Sequence, residues 1–508
     1  MKRLPVFSLS RIRELGTTLL MNKYYTFSFF FLLALLIRLA AFLMIPVDWN
    51  WDSYHHWQIA YYSLKVGLEQ GRMWDLGGME YFWGVFPHLV EAFIFWLLRT
   101  TSILPYRVFN MLLGSLAVWL IYLIGRDQFN WEVGLYAALF SAFCPVLVIF
   151  DILALQDTTA LFLAVAAFYF HKKHPILSGV LFGLASQSRI ELWLISPLFI
   201  FGVLLYGRDK KVFTRLMLGW LTITIPFMWF FWARTGNPVY PLYWSFYDAL
   251  GGWSGAERPA FFTLAARFML SWIQKVATDP RTLALLSPVL LSMAALLYMV
   301  KKPPRMYSLY TFFLFSFLFC GFYTFQYLES LFFLLIVLRI MMLPVVLGGL
   351  ILAHLVSKSR LRAYHPEKVS LLFFPILLIL AVPAYQSYQH FTLYDFQAAD
   401  EAMKYYSGGR IVSDIPTIVY RLADHWKVPV TDLMSSHYSP LYYGNRTTDA
   451  LVDWFRSNNI TLWIYAPWQD APEILKILEE GRPSLLMPRE VVYDRQIFEV
   501  NSMALGSS

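Results

Sequence analysis

The sequence predicts a polytopic α-helical membrane protein, with about eleven transmembrane (TM) helices followed by a small external α/β domain at the C-terminus. Three observations lead there. Of the 508 residues, 58% belong to the apolar and aromatic set and only 15% are charged, giving a mean hydropathy of +0.51. A soluble chain carries about 25% charged residues, so this one cannot clothe a water-facing surface. Aromatic residues reach 19%, which excludes a disordered chain. Finally, apolar runs near the ~20 residues needed to cross a bilayer recur up to residue 387 and then stop. The two cysteines, Cys144 and Cys320, both lie in apolar runs, so no disulfide framework is indicated.

Measured against bilayer thickness, the segments fall near 24–46, 107–125, 132–150, 158–171, 175–188, 192–206, 213–232, 282–300, 307–324, 340–357 and 369–387. The fourth and fifth are short for a span. Orientation follows the Lys/Arg bias of the loops. Lys2, Arg3, Arg11, Arg13 and Lys23 precede the first segment, and further basic loops occur at Arg126, Lys172-Lys173, Arg208 to Lys211, Lys301-Lys302 with Arg305, and Lys358 to Arg362. All fall on one side provided that 81–99 and 325–339 lie on the opposite membrane face rather than crossing it. This places the N-terminus in the cytoplasm and the C-terminal domain outside an integral protein of the plasma or inner membrane, or its equivalent. Met1 to Met21 lacks a small-residue cleavage site, so no removable signal peptide is expected.

The expected organisation is a cytoplasmic segment at 1–23, a transmembrane domain at 24–387, an external α/β domain at 388–500 and a tail at 501–508. Within the membrane domain, 47–106 forms a first external loop with interfacial helices and 233–281 a second long external loop. Past residue 388 the apolar runs shorten and alternate between strand-like pieces (410–414, 460–467, 489–500) and helix-like ones (448–457, 471–480), the pattern of a small α/β domain. No internal repeat is evident, which weakens a transporter built from matched halves.

Ionisable groups at membrane depth are costly and usually functional. Four clusters map to the same non-cytoplasmic interface: Asp48 to Trp57, with Asp52, Tyr54, His55 and His56; Asp151 to Asp157; Ser186 to Glu191, with Arg189; and Arg339 ahead of Pro344. Carboxylates beside an apolar wall serve as general bases, and arginines at an interface grip a phosphate bidentately. A base and a phosphate clamp beside the bilayer suit displacement of a lipid phosphate by a hydroxyl or amine. Several plainer readings compete: Asp52 or Asp157 as a helix cap, Asp151 as a solvated loop residue, and Arg339 as a snorkelling side chain. Arg189 and Glu191, two apart, would face different sides of a helix. Adjacent histidines point apart on a helix, so at most one of His55 and His56 would be a ligand. His88, after Pro87, is open between a site and a plain interfacial role.

These residues resemble the GT-C superfamily of polyprenyl- or dolichyl-phosphate-sugar-dependent membrane glycosyltransferases, similar to protein mannosyltransferases and aminoarabinose transferase. Trp51-Asp52-Ser-Tyr-His-His-Trp57 looks like its first-loop acidic motif, Leu155-Gln-Asp157-Thr-Thr its second acid, Ser188-Arg189-Ile-Glu191 its third motif and Arg339-Ile-Met-Met-Leu-Pro344 its late-helix motif. Phe82-Trp-Gly-Val-Phe-Pro87-His88 resembles its Pro-containing external helix. The resemblance runs in order over roughly residues 20–390. It implies inverting transfer of a sugar from a polyprenyl-phosphate donor to a lipid, glycan or protein acceptor. Asp52 would be the catalytic base and Asp157 the supporting acid. Arg189 and Arg339 would hold the donor phosphate, with Glu191, Tyr54, His55, His56 and His88 as further substrate contacts.

The chain departs from the pattern where Ser53 follows Asp52 in place of a second acid, a role left to Asp48, and where His55-His56 replaces Tyr-Tyr. Acceptor type and metal requirement therefore stay open. No cofactor is certain, and a divalent cation (Mg or Mn), if used, would take Asp52 and His56. Membrane lipids are expected partners and nucleic acid is not. The rivals are an oligosaccharyltransferase-like, metal-dependent enzyme and a lipid or solute transporter.

Overall fold

The computed structural model describes residues 23–66, 83–243, 280–301, 307–325, 338–359, 366–436, 447–466, 472–501 and 503–504. The N-terminal segment before residue 23, most of the expected loop at 233–281, the stretch 326–337 and most of the tail after 501 lie outside these residues. In chain order the helices are α1 (Lys23–Met44), α2 (Trp51–Lys65), α3 (Phe86–Leu98), α4 (Leu104–Gln128), α5 (Trp131–Phe143), α6 (Pro145–Asp151), α7 (Gln156–Phe170), α8 (Pro175–Ser186), α9 (Glu191–Gly207), α10 (Lys210–Thr235), α11 (Pro280–Lys301), α12 (Tyr307–Phe325), α13 (Met342–Lys358), preceded by a 3-10 turn at Leu338–Met341, and α14 (Pro366–Gln386). The remainder reads α15 (Gln389–Ala402), β1 (Arg410–Val412), α16 (Pro416–Asp424), β2 (Leu433–Met434), α17 (Thr448–Ser457), β3 (Ile460–Tyr465), α18 (Pro472–Gly481), β4 (Leu486–Val492) and β5 (Arg495–Val500).

Each of the eleven expected segments is helical. Among the described residues, five helices are long and apolar enough to cross a membrane: Tyr25–Met44, Leu104–Gln128, Lys210–Thr235, Pro280–Met299 and Leu338–Lys358. A sixth appears if α5 and α6, bent by 57° across their break, count as one span. That break has a local cause. Pro145 opens α6, and the residue before a proline is pushed out of the helical region, as Cys144 is with ψ 118°.

The chain divides into two compact units. The first comprises 1–46, 82–86 and 107–385 and holds the apolar helices. A core of rings joins α7, α8, α9 and α12: Phe168 stacks on Phe312 at 5.3 Å, and Phe199 meets Phe312 at 5.1 Å and Phe182 at 5.2 Å. Elsewhere in the unit Asp151 is fully buried rather than solvated. Its Oδ2 accepts two hydrogen bonds from Arg38, at 2.8 and 2.6 Å, and its Oδ1 accepts one from Thr158 at 2.8 Å. A carboxylate at this depth persists only when paired, and here it ties α1, α6 and α7 together. Gly114 on α4 makes room for it, since a Cβ there would stand 2.2 Å from Asp151 Oδ2.

The second unit comprises 47–81, 87–106 and 386–508, so it unites the first loop with the C-terminal domain. Its five-stranded sheet has the order β2-β1-β3-β5-β4. Strands β1, β2 and β3 pair in parallel and the β3-β5-β4 pairings are antiparallel. The expected single strand-like piece at 489–500 is a hairpin, turning where Tyr493 adopts φ 59°. Helix α2 packs on α16, with Tyr54 and Trp57 each 5.0 Å from the Tyr420 ring. Helix α3 buries His88, Glu91 and Phe95 and exposes Leu89, Phe93 and Trp96.

Candidate active site

In the first unit, three of the sequence clusters come together. Asp157 is the second residue of α7. It does not cap that helix, whose N-cap is Leu155 without a side-chain bond. Its carboxylate points instead at two cations, with Oδ1 3.1 Å from Arg189 Nη1 and Oδ2 3.8 Å from Arg339 Nε. Arg189 also grips Glu191 in a two-point contact, Nε to Oε2 at 3.1 Å and Nη2 to Oε1 at 2.5 Å. The expectation that this pair faces apart rests on a helix running through both residues. In fact α8 has ended at Ser186 and α9 opens only at Glu191, so Arg189 lies in a turn whose geometry brings the two side chains together. Arg339 sits in the 3-10 turn ahead of α13 and is 8% exposed. It turns inward to Asp157 rather than snorkelling to water.

The four charged groups line a cavity of about 30 Å³, together with Leu161, Leu192, Cys320 and Leu343. That is space for a water or two and not for a sugar. Two guanidiniums face two carboxylates across it, so the cluster is formally neutral. Nearby, Gly84 turns with φ +86° against Gln187, whose carbonyl oxygen would stand 2.2 Å from a Cβ at that position.

The second unit carries the first-loop residues. Asn50 caps α2 and its side-chain oxygen accepts from the Asp52 N–H at 3.0 Å. Asp52 is thus the second helical residue rather than the cap, and it is half-buried. Asp48 is buried and holds the Asn50 N–H at 3.1 Å. Tyr54 is buried against Phe396 and Tyr420, and its hydroxyl donates to the Asp48 main-chain oxygen at 2.8 Å. His56 and His88 are both buried and share a hydrogen bond, Nδ1 to Nε2, of 2.9 Å; His55, one step round the helix, is half-buried. Among the described residues, no three His, Cys, Asp or Glu side chains are grouped so as to hold a metal ion.

Sequence reasoning passed over several participants. Arg38 is an ionisable residue inside an apolar segment, a signal that was readable. Glu91 is buried with neither carboxylate oxygen hydrogen-bonded among the described residues. Burial, with the Asp48 charge adding to it, pushes its carboxyl well above the usual range. Asp395 and Arg495 form a buried ion pair that no local pattern announces.

Comparison with known proteins follows this geometry. Residues 87–232 match a family described as dolichyl-phosphate-mannose-protein mannosyltransferase. That span contains His88, Asp157, Arg189 and Glu191 and leaves out Asp52 and Arg339. ArnT from Cupriavidus metallidurans, solved bound to undecaprenyl phosphate, superposes with a TM-score of 0.55 at 14% identity, covering 95% of this chain and 99% of that one. The archaeal oligosaccharyltransferase AglB from Archaeoglobus fulgidus, solved with an inhibitory peptide and a dolichol-phosphate, gives a TM-score of 0.52 at 14% identity, covering 87% of this chain and 69% of that one. At such identities the likeness is one of fold. No curated protein matches the chain by sequence. Residues 87–232 thus resemble that mannosyltransferase family, and over most of its length the chain shares the fold of ArnT and AglB.

Proposed function

We propose that the chain is an inverting glycosyltransferase that moves one sugar from a polyprenyl-phosphate donor to a lipid, glycan or protein acceptor at the non-cytoplasmic face of the membrane. The observation that carries this reading is the buried cluster in which Arg189 and Arg339 flank Asp157. Buried arginines offer fork-shaped donors suited to a phosphate. A lipid phosphate is a ligand whose charge would be stabilised by such a pair, and ArnT and AglB were both solved with polyprenyl-type phosphates.

The proposed chemistry is a single displacement. An acceptor hydroxyl gives its proton to Asp52 as its oxygen bonds to the anomeric carbon. The bond from that carbon to the phosphate oxygen breaks with its electron pair, and the polyprenyl phosphate leaves with one more negative charge. Arg189 and Arg339 stabilise the charge as it develops, which is where fixed donors accelerate a reaction most. Asp157 holds the two arginines apart and oriented.

Binding of polyprenyl phosphate to the purified protein tests the donor half of this reading. Arg339→Ala is expected to weaken it by about tenfold or more, the loss of a charged hydrogen-bond partner. Unchanged affinity in both Arg339→Ala and Arg189→Ala would remove the phosphate clamp.

A further inference from the structure

Trp51 and Asp395 lie 344 residues apart and meet through a hydrogen bond from the indole Nε1–H to Oδ2, at 3.2 Å. Asp395 is fully buried on α15 and both of its oxygens are engaged. Oδ1 receives Arg495 Nε at 2.8 Å and Nη2 at 2.7 Å, while Oδ2 also receives the Thr417 hydroxyl. One carboxylate thus joins α2, α15, α16 and β5. Its place on α2 is what gives it consequence. Trp51 is the first residue of that helix, immediately before Asp52, and the first turn of a helix is where its own hydrogen bonds are fewest. From the other side, Asn50 holds the Asp52 N–H and Asp48 holds Asn50. Position 52 is therefore fixed by its neighbours, through side chains from two distant parts of the sequence.

We propose that Asp395 is a positioning residue for Asp52: by holding the Trp51 indole it sets the first turn of α2 so that the Asp52 carboxylate meets the acceptor hydroxyl. The role rests on the reading of Asp52 as the base. It makes the C-terminal domain a contributor to the chemical step, because a displaced base costs rate without costing substrate affinity.

The test uses the purified full-length protein and the variants Trp51→Phe, Asp395→Asn and the double variant. Trp51→Phe keeps an aromatic ring while removing the pyrrole ring and its N–H donor, a milder change than Asp395→Asn, so it carries the test should Asp395→Asn fail to fold. Sugar-transfer kinetics and amide hydrogen exchange are read on each. Each single variant is expected to lower kcat about tenfold, with donor KM changed by no more than about twofold. The double variant should be no worse than Asp395→Asn alone, since the Trp51 link is already disturbed there. Exchange should quicken at residues 50–57 and stay slow across 460–465. Unchanged protection at 50–57 in an active Trp51→Phe protein overturns the proposal. So does an effect of the double variant equal to the product of the single ones, or loss of protection across the sheet as well, which marks a structural role. A wild-type protein that transfers nothing from any donor instead sinks the reading of Asp52, a result that the exchange data separate from failure of the Asp395 link.

Discussion

Arg189 bridges two carboxylates, reaching Asp157 at 3.1 Å and Glu191 at 2.5 Å, inside a small buried cavity. An incoming phosphate has to compete with both acids for the same guanidinium. Glu191→Gln removes one competing charge and leaves Asp157 to orient the arginine. It is expected to tighten polyprenyl phosphate binding several-fold, whereas Arg189→Ala weakens it. Titration calorimetry in detergent decides the point, and weaker binding in Glu191→Gln would show that Glu191 helps to build the site rather than competing for it.

The buried Arg38–Asp151 pair makes a prediction about stability alone. Removing one member strands the other in an apolar interior, at a cost of about 3–5 kcal/mol. Asp151→Ala is therefore expected to unfold the protein at markedly lower temperature. Gly114→Ala should destabilise through crowding by about 1–3 kcal/mol, because its new methyl would press on the Asp151 carboxylate. Thermal unfolding followed by detergent-resistant solubility measures both, and a Gly114→Ala protein with wild-type stability contradicts the packing described.

Glu91 carries a pH prediction. Its folded-state carboxyl is raised, first by burial and then by the Asp48 charge, so the folded protein holds the proton more tightly than the unfolded chain does. Stability from the neutral carboxyl is fully present below about pH 4.3, the ordinary glutamate value, and is lost as pH rises through the raised folded value. Glu91→Gln is expected to raise the unfolding midpoint at pH 8 and to leave it unchanged at pH 4. Equal midpoints of variant and wild type at pH 8 would show that the carboxyl is better satisfied than its surroundings indicate.

The apolar helices were legible in the sequence because one-dimensional hydropathy is the property that makes them. The number of crossings was not. The short helix α7 is buried along most of its length, whereas α8 leaves Ile176 and Leu177 exposed. The order of the motifs along the chain singles out Asp157, Arg189 and Arg339, and the fold places those three side chains near one another. The Arg189–Glu191 contact escapes helical spacing because Arg189 lies in the turn between α8 and α9. Asp151 looked like a loop residue because its partner Arg38 is 113 positions away. For the same reason neither the His56–His88 pair nor the Asp395 junction leaves a local signature. Long-range polar pairing is a property of the folded arrangement, and spacing along the chain does not encode it.

The most direct measurement of the central claim is release of polyprenyl phosphate from a polyprenyl-phospho-sugar by the purified protein, with wild type and Asp52→Asn compared and a chelator added in parallel. The wild type is expected to release polyprenyl phosphate, and the chelator arm reads the metal requirement. Asp52→Asn is expected to lose roughly 10²–10⁴-fold, the scale of a missing general base, with lipid phosphate binding retained. An Asp52→Asn protein that turns over at the wild-type rate would contradict that claim.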